Sequence, residues 1–224
     1  MALIELHKVH KDFKRGTEIV KALSDVSLEI EAGEYLSVSG PSGSGKTTLM
    51  DILGCLSRPS SGTYRLEGHD VGALDDLTLA QIRNAKIGFV FQAFHLLPRY
   101  TALENVALPL LYAGWSLPEA RYAAEEALNR VGLAQRATHS PGELSGGEQQ
   151  RVAIARAFVN DPALILADEP IGNLDSATGA EILDLLGTIH RDGGTIVLVT
   201  HDEVAAARAR RHLALRDGVI VGAS

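Results

Sequence analysis

The rhythm of apolar and polar residues changes several times along the chain. In residues 1–35 the two alternate, as in Ile4-Glu5-Leu6-His7 and Val26-Ser27-Leu28-Glu29-Ile30, with Gly33 as punctuation; Thr63-Tyr64-Arg65-Leu66 repeats the pattern. Alternation of period two predicts strands with one buried face, grouped in an antiparallel sheet. Tyr35–Ser39 forms a further strand. Ile87-Gly88-Phe89-Val90-Phe91, Ala163-Leu164-Ile165-Leu166-Ala167 and Thr195-Ile196-Val197-Leu198-Val199-Thr200 are nearly continuous apolar runs, as strands buried on both faces of a parallel sheet require. Residues 93–158 read as helical. Thr101/Glu104, Ser116/Glu119 and Ser145/Glu148 are capping boxes, Pro118 suits a first turn and Gly132 a helix end. His212–Arg216 and Val219–Val221 around Asp217-Gly218 read as a hairpin. The whole predicts an α/β protein, one domain over 1–224. A mostly parallel sheet forms its core, an N-terminal antiparallel β subdomain leans on that core, and a helical subdomain, 93–158, is inserted in it.

Chemistry concentrates where strands end. After the Tyr35–Ser39 strand come Gly40-Pro41-Ser42-Gly43-Ser44-Gly45-Lys46-Thr47, and then the helical pattern of Thr48–Leu53. Strand, GxxxxGK[ST], helix is the context in which such a loop cradles phosphates. Its backbone N–H groups would hold the β- and γ-phosphates, Lys46 would neutralise them and the Thr47 hydroxyl would ligate Mg²⁺. The Ala163–Ala167 run delivers Asp168-Glu169-Pro170 at its carboxyl end, where open α/β sheets bind ligands. Asp168 is placed to hold Mg²⁺, through water, and Glu169 to polarise an attacking water. The Thr195–Thr200 run ends at His201, either a contact to the same γ-phosphate or a structural histidine. The Ile87–Phe91 run ends at Gln92, a neutral group suited to sensing metal and water.

A second phosphate-grade element is Leu144-Ser145-Gly146-Gly147-Glu148-Gln149-Gln150-Arg151. The capping box starts a helix that runs through Ala157, and Gly146 and Gly147 keep side chains away from the exposed N–H groups, leaving room for an anion. Alone this would be an ordinary capped helix. Beside a phosphate loop it reads as a second grip.

Composition narrows the field. The net charge of −7 speaks against a nucleic-acid binder. The basic cluster Arg208-Ala209-Arg210-Arg211 is expected late in a helix opening at Asp202, as a solvated end that complements the helix dipole. The single Cys55 forbids an internal disulfide and, among Ile52, Leu53 and Leu56, reads as a packed thiol in a reducing compartment. No apolar run approaches the roughly 18 residues of a membrane span, and the N-terminus lacks a signal-peptide core. A cytoplasmic protein is expected, with any membrane association made through a partner.

With these motifs in place the chain resembles the nucleotide-binding subunits of ABC transporters over nearly its whole length. The order is the family's: phosphate loop (Walker A), Gln92 of the Q-loop, the Leu144–Arg151 signature, Asp168-Glu169 of Walker B, Asn173-Leu174-Asp175 of the D-loop, and His201 of the switch. Leu53-Gly54-Cys55-Leu56, Ile87–Gln92, Phe94-His95-Leu96-Leu97-Pro98 and Thr101–Val106 are similar to the MacB/LolD/FtsE group. The resemblance implies a RecA-like P-loop NTPase core and an ATPase using ATP and Mg²⁺. It implies nucleotide contacts from Gly40 through Thr48, from Ser145, Gly146 and Gly147, and from Phe13, which stands where an aromatic residue stacks on adenine. Thr47, Gln92 and Asp168 would serve the metal, Glu169, His201, Gln92 and Lys46 catalysis, and Asp175 would communicate across an interface. It also implies a head-to-tail homodimer with each ATP between the phosphate loop of one copy and the signature of the other. A separately encoded membrane permease would hold the subunit on the cytoplasmic face of the inner or plasma membrane. Part of the Phe94, Leu96, Leu97, Pro98 patch is expected to line a groove for that permease. Export, lipoprotein release and transmembrane mechanical work fit; an importer ATPase and a soluble, non-transport ABC ATPase are the alternatives. Ile171 and Thr47 replace the family's usual Thr and Ser without disturbing their catalytic neighbours.

Overall fold

In the computed structural model, which describes residues 2–223, the chain runs β1 (Ala2–Arg15), β2 (Glu18–Glu31), β3 (Tyr35–Ser39), α1 (Lys46–Leu53), β4 (Ser61–Leu66), β5 (His69–Asp70), α2 (Asp76–Lys86), β6 (Ile87–Phe91), α3 (Ala102–Tyr112), α4 (Leu117–Arg130) and α5 (Gly146–Phe158). It continues through β7 (Leu164–Asp168), α6 (Ser176–Arg191), β8 (Ile196–Val199), α7 (Glu203–Ala206), β9 (Arg211–Arg216) and β10 (Val219–Ala223). One sheet has the order β2-β1-β4-β5 and is antiparallel; the other has the order β10-β9-β3-β8-β7-β6. In the second sheet every pairing is parallel except β10 with β9.

The apolar runs explain the layering. Leu164 and Leu166 of β7 point into one core, with Leu36, Val38, Val197, Val199, α1 and the inner face of the antiparallel sheet. Ile165 and Ala167 point into the other, with Ile196, Leu198 and the buried faces of α3, α4, α5 and α6. Alternate residues of one strand thus feed two cores, and burial on both faces leaves such a strand no polar position until its end. The segment 93–158 carries α3, α4 and α5, and α5 packs directly on β6.

The capping boxes at Thr101, Ser116 and Ser145 all form, and Gly132 follows α4 with φ 76°. Asp217 and Gly218 both have positive φ, as a type I′ hairpin turn demands. Cys55 is buried, and burial pushes its thiol pKa up.

The basic cluster departs from expectation. The helix opening at Asp202 closes at Ala206 after four residues. Arg208 Nη1 then pairs with Asp184 Oδ1 at 2.7 Å, and Arg211 begins β9, opposite Leu36. Pairing with β3 extends the ladder of the main sheet, and that tertiary gain overrides the local helical pattern. Two helices stand where the hydrophobic rhythm marked none: α2, capped by Asp75 on the Thr78 N–H, and α6, capped by Asp175.

Candidate active site

Four loops converge at the carboxyl ends of parallel strands: 40–45 after β3, Glu169–Asp175 after β7, Thr200–Asp202 after β8 and Gln92 after β6. This edge is where an open α/β sheet presents its ligand groups.

The phosphate loop is shaped by close packing behind it. Gly45 has φ 103°, and a Cβ there would stand 2.5 Å from the Ala22 carbonyl oxygen of β2, so the first turn of α1 can lie against the hairpin only with glycine. No side chain caps α1, and among the described residues the N–H groups of Gly43, Gly45, Lys46 and Thr47 have no acceptor. These donors and the helix dipole make an anion site. Lys46 Nζ donates to the carbonyls of Gly40 at 2.7 Å and Pro41 at 2.9 Å, which folds it over the loop. The buried Ser44 hydroxyl has no partner. Phe13, on β1 opposite Val20, is 43% exposed and has the Lys11 ammonium 5.1 Å from its ring centre; its outward ring offers a stacking face.

Asp168 and Glu169 occupy different environments. Burial and the neighbouring charges of Glu169 and Asp51 raise the Asp168 pKa, and Lys46 opposes them. Among the described residues no group of three or more His, Cys, Asp or Glu is placed to hold a metal by itself. One crowded carboxylate with the Thr47 hydroxyl suits a small hard cation that keeps several waters, as Mg²⁺ does, and a cation there would relieve the crowding around Asp168. Glu169 has φ 45°, an uncommon conformation for glutamate, fixed by its N–H on the Val199 carbonyl at 2.8 Å. Its carboxylate accepts from the Thr200 hydroxyl at 3.1 Å and the His201 N–H at 2.9 Å, and His201 Nδ1 lies 2.6 Å from Oε1.

The Glu169 hydrogen bond and charge raise the His201 pKa from its ordinary 6.5. A raised histidine pKa means that the pair contributes stability in full below that ordinary value, and loses it as pH rises through the raised one. Replacing Glu169 by Gln should therefore bring the His201 titration down, as an NMR titration of the imidazole would measure. An unchanged titration would mean that the bond does not persist in solution.

Gln92 Nε2 donates to Asn173 Oδ1 at 3.2 Å, and Asn173 Nδ2 returns a bond to the Gln92 carbonyl at 2.9 Å. The Q-loop and D-loop are thereby tied together. Asp175 caps α6, accepting from the N–H groups of Ala177 and Thr178 and the Thr178 hydroxyl, which hold its pKa down. Two residues outside the expected nucleotide contacts brace this edge. Thr200 supports Glu169, and the wholly buried Gln150 donates from α5 to the Pro170 carbonyl at 2.6 Å and the Phe91 carbonyl at 3.3 Å.

The signature turn packs against α6 and the loop before it. At Ser145 the N–H groups of Gly146 and Gly147 are free among the described residues. A side chain at Gly147 would strike Thr178, and one at Gly146 would meet Leu174 and Phe94. No residue of 40–47 is among these neighbours.

A phosphate cradle with carboxylates at the same sheet edge suits phosphoryl chemistry, and the fold is that of the phosphate-loop nucleoside triphosphatases. The chain belongs to the ABC transporter family, whose model matches residues 23–172, and is an ATPase of that family. It is 52% identical over 222 residues to the ABC transporter ATP-binding protein YknY of Bacillus subtilis, a match covering 99% of this chain and 96% of the relative. It is 50% identical over 218 residues to the macrolide export ATP-binding/permease protein MacB of Rhodopseudomonas palustris, covering 97% of this chain and 33% of MacB. The dimeric, post-hydrolysis structure of the ATP-binding cassette MJ0796 bound to ADP and Pi superposes with a TM-score of 0.91 at 46% identity, over 99% of this chain and 97% of that one.

No helix among the described residues is long and apolar enough to cross a membrane. A groove of about 420 Å³ opens beside the Q-loop between Leu56, Arg83, Phe89, Phe91, His95 and Arg156. Of the expected Phe94, Leu96, Leu97, Pro98 patch, none lines it. Leu96 packs against the helical core, and the Leu97 backbone is held in both directions by Asn105. Asn105, one buried amide, thus fixes the backbone of the patch, while the Leu97 side chain stays 40% exposed.

Proposed function

We propose that two copies of the chain close head to tail on two ATP molecules, and that this closure drives a separate membrane permease. The observation that carries the proposal is that two sets of unpaired donors, one in 43–47 and one at Gly146-Gly147, have no hydrogen bond between them among the described residues. A two-fold dimer satisfies both sets on one triphosphate. The dimeric cassette among its structural relatives supports this. In this reading 1–224 is a single nucleotide-binding domain and 93–158 its inserted helical subdomain, which carries the signature to the partner copy.

Each residue then has a role at a stated atom. Phe13 stacks on the adenine. The N–H groups of Gly43 to Thr48 and the Lys46 ammonium hold the phosphates, Lys46 leaving the Gly40 and Pro41 carbonyls to do so. Asp168, Thr47 and the Gln92 side chain hold Mg²⁺, the last after releasing Asn173. Mg²⁺ bound there neutralises charge on the phosphate oxygens. Glu169 takes a proton from water, for which Oε1 must first be freed from the imidazole. His201, released, donates to the γ-phosphate. Asp175 relays the state of the interface through α6. Light scattering tests the association: a Glu169→Gln chain should double in mass with ATP and Mg²⁺ and remain single with ADP. A monomer in both would overturn the dimer.

The groove fits the permease. Its mouth is apolar at Leu56 and Phe89 and basic at Arg83 and Arg156, so it suits a short amphipathic helix with an acidic residue on the cytoplasmic face of the membrane. The MacB relatives carry a permease by name in the same polypeptide, which supports an export-type partner. Leu56 is 52% exposed, so Leu56→Glu should leave folding and ATP binding intact while burying an unpaired charge on docking. Co-purification with the membrane subunit should fail, whereas Leu97→Glu should preserve it. The opposite pattern would place the contact on the Leu97 side.

A further inference from the structure

We propose that Arg136 is a positioning residue for the signature turn, cancelling the charge that Glu148 carries into the site receiving the γ-phosphate of the partner copy's ATP; this rests on the head-to-tail reading. Glu148 is the third residue of α5 and part of its cap. Its Oε2 accepts the Ser145 N–H at 2.8 Å, and the Ser145 hydroxyl accepts the Glu148 N–H at 3.3 Å. The cap needs an acceptor at that position and not a charge. The Ser145 backbone bond and Arg136 nevertheless hold the carboxyl below the usual range, so it is ionised. A negative charge is welcome at a helix N-terminus, but here the free N–H groups of Gly146 and Gly147 would serve an anion, and the carboxylate repels it.

Arg136 resolves the conflict. It comes from the short turn Ala134–Arg136, outside α5, and its Nε donates to Glu148 Oε1 at 2.9 Å. Both carboxylate oxygens are then engaged, one by the cap and one by a cation. Arg136 Nη1 lies 3.4 Å from His139 Nε2, so the guanidinium is braced by its own turn. The charge is neutralised without disturbing the cap that orients the Ser145 hydroxyl.

A bracing role and a charge role part company in a double substitution. Glu148→Gln keeps an acceptor for the Ser145 N–H and removes the charge, so the chain should then need Arg136 no longer. In a Glu169→Gln background, where turnover is off, light scattering reads the ATP concentration giving half-maximal dimer. Arg136→Ala should raise it about tenfold at low salt, with the difference shrinking at high ionic strength. Arg136→Ala with Glu148→Gln should return it to the parent value, and Arg136→Lys should stay close to parent. ADP affinity, which uses the phosphate loop and Phe13 of the same copy and not the signature, should be unchanged throughout and reports that each chain is folded. An unaltered Arg136→Ala, or a double variant as weak as the single one, would overturn the proposal. Ser145→Arg is run alongside: if it still dimerises normally, the head-to-tail reading fails instead.

Discussion

Two inactive chains should regain activity on mixing. Lys46→Ala removes the cation from the phosphate loop, and Ser145→Arg fills the signature turn with a side chain where an anion should sit. Each homodimer of either variant carries the same defect at both sites. In a mixed dimer the intact loop of the Ser145→Arg copy meets the intact signature of the Lys46→Ala copy, and the other site carries both defects. Random association should yield about a quarter of the parental sites in working order, because half the dimers are mixed and each has one good site. Phosphate release and nucleotide trapped per heterodimer are the readouts. If neither rises above the separate variants when differently tagged copies are seen to associate, the composite site is wrong.

Glu169→Gln should bind ATP and scarcely turn it over. The amide oxygen can still accept the His201 N–H while its NH2 donates to the Thr200 hydroxyl oxygen, so the strained turn at φ 45° keeps its supports. It cannot take a proton from water. Loss of a general base lowers turnover by about 10²–10⁴-fold, while nucleotide affinity should change little. A phosphate-release assay reads the first and equilibrium titration with a fluorescent nucleotide the second. Turnover within about tenfold of parent would remove Glu169 from the role of base.

The parts legible in the sequence were those whose cause is local. The phosphate loop, the three capping boxes and the Asp217-Gly218 turn each depend on residues within a few positions of one another. The apolar runs of β6, β7 and β8 announced burial on both faces before any partner strand was known. What was hidden depends on distant chain. Arg211 looks helical from its neighbours and becomes a strand because β3 lies beside it. Gln150 sits in the signature and Thr200 ends an apolar run, but their importance comes from carbonyls and a carboxylate brought close only by the fold. Leu96 and Leu97 read as one docking patch because an apolar run does not record which way each side chain faces; Leu96 packs on the helical core while Leu97 stays 40% exposed. The helix α2 has a plain cap at Asp75 but only one fully buried position, Leu79, so its hydrophobic rhythm is faint.

The bond between Glu169 and His201 has a consequence for the life of the subunit before it meets a partner. On the head-to-tail reading, a lone copy surrounded by nucleotide would have its proton acceptor already occupied by His201 and would lack the signature donors of a second copy. Unassembled copies should therefore be idle, and overproducing the chain alone should place little drain on a cell's ATP pool.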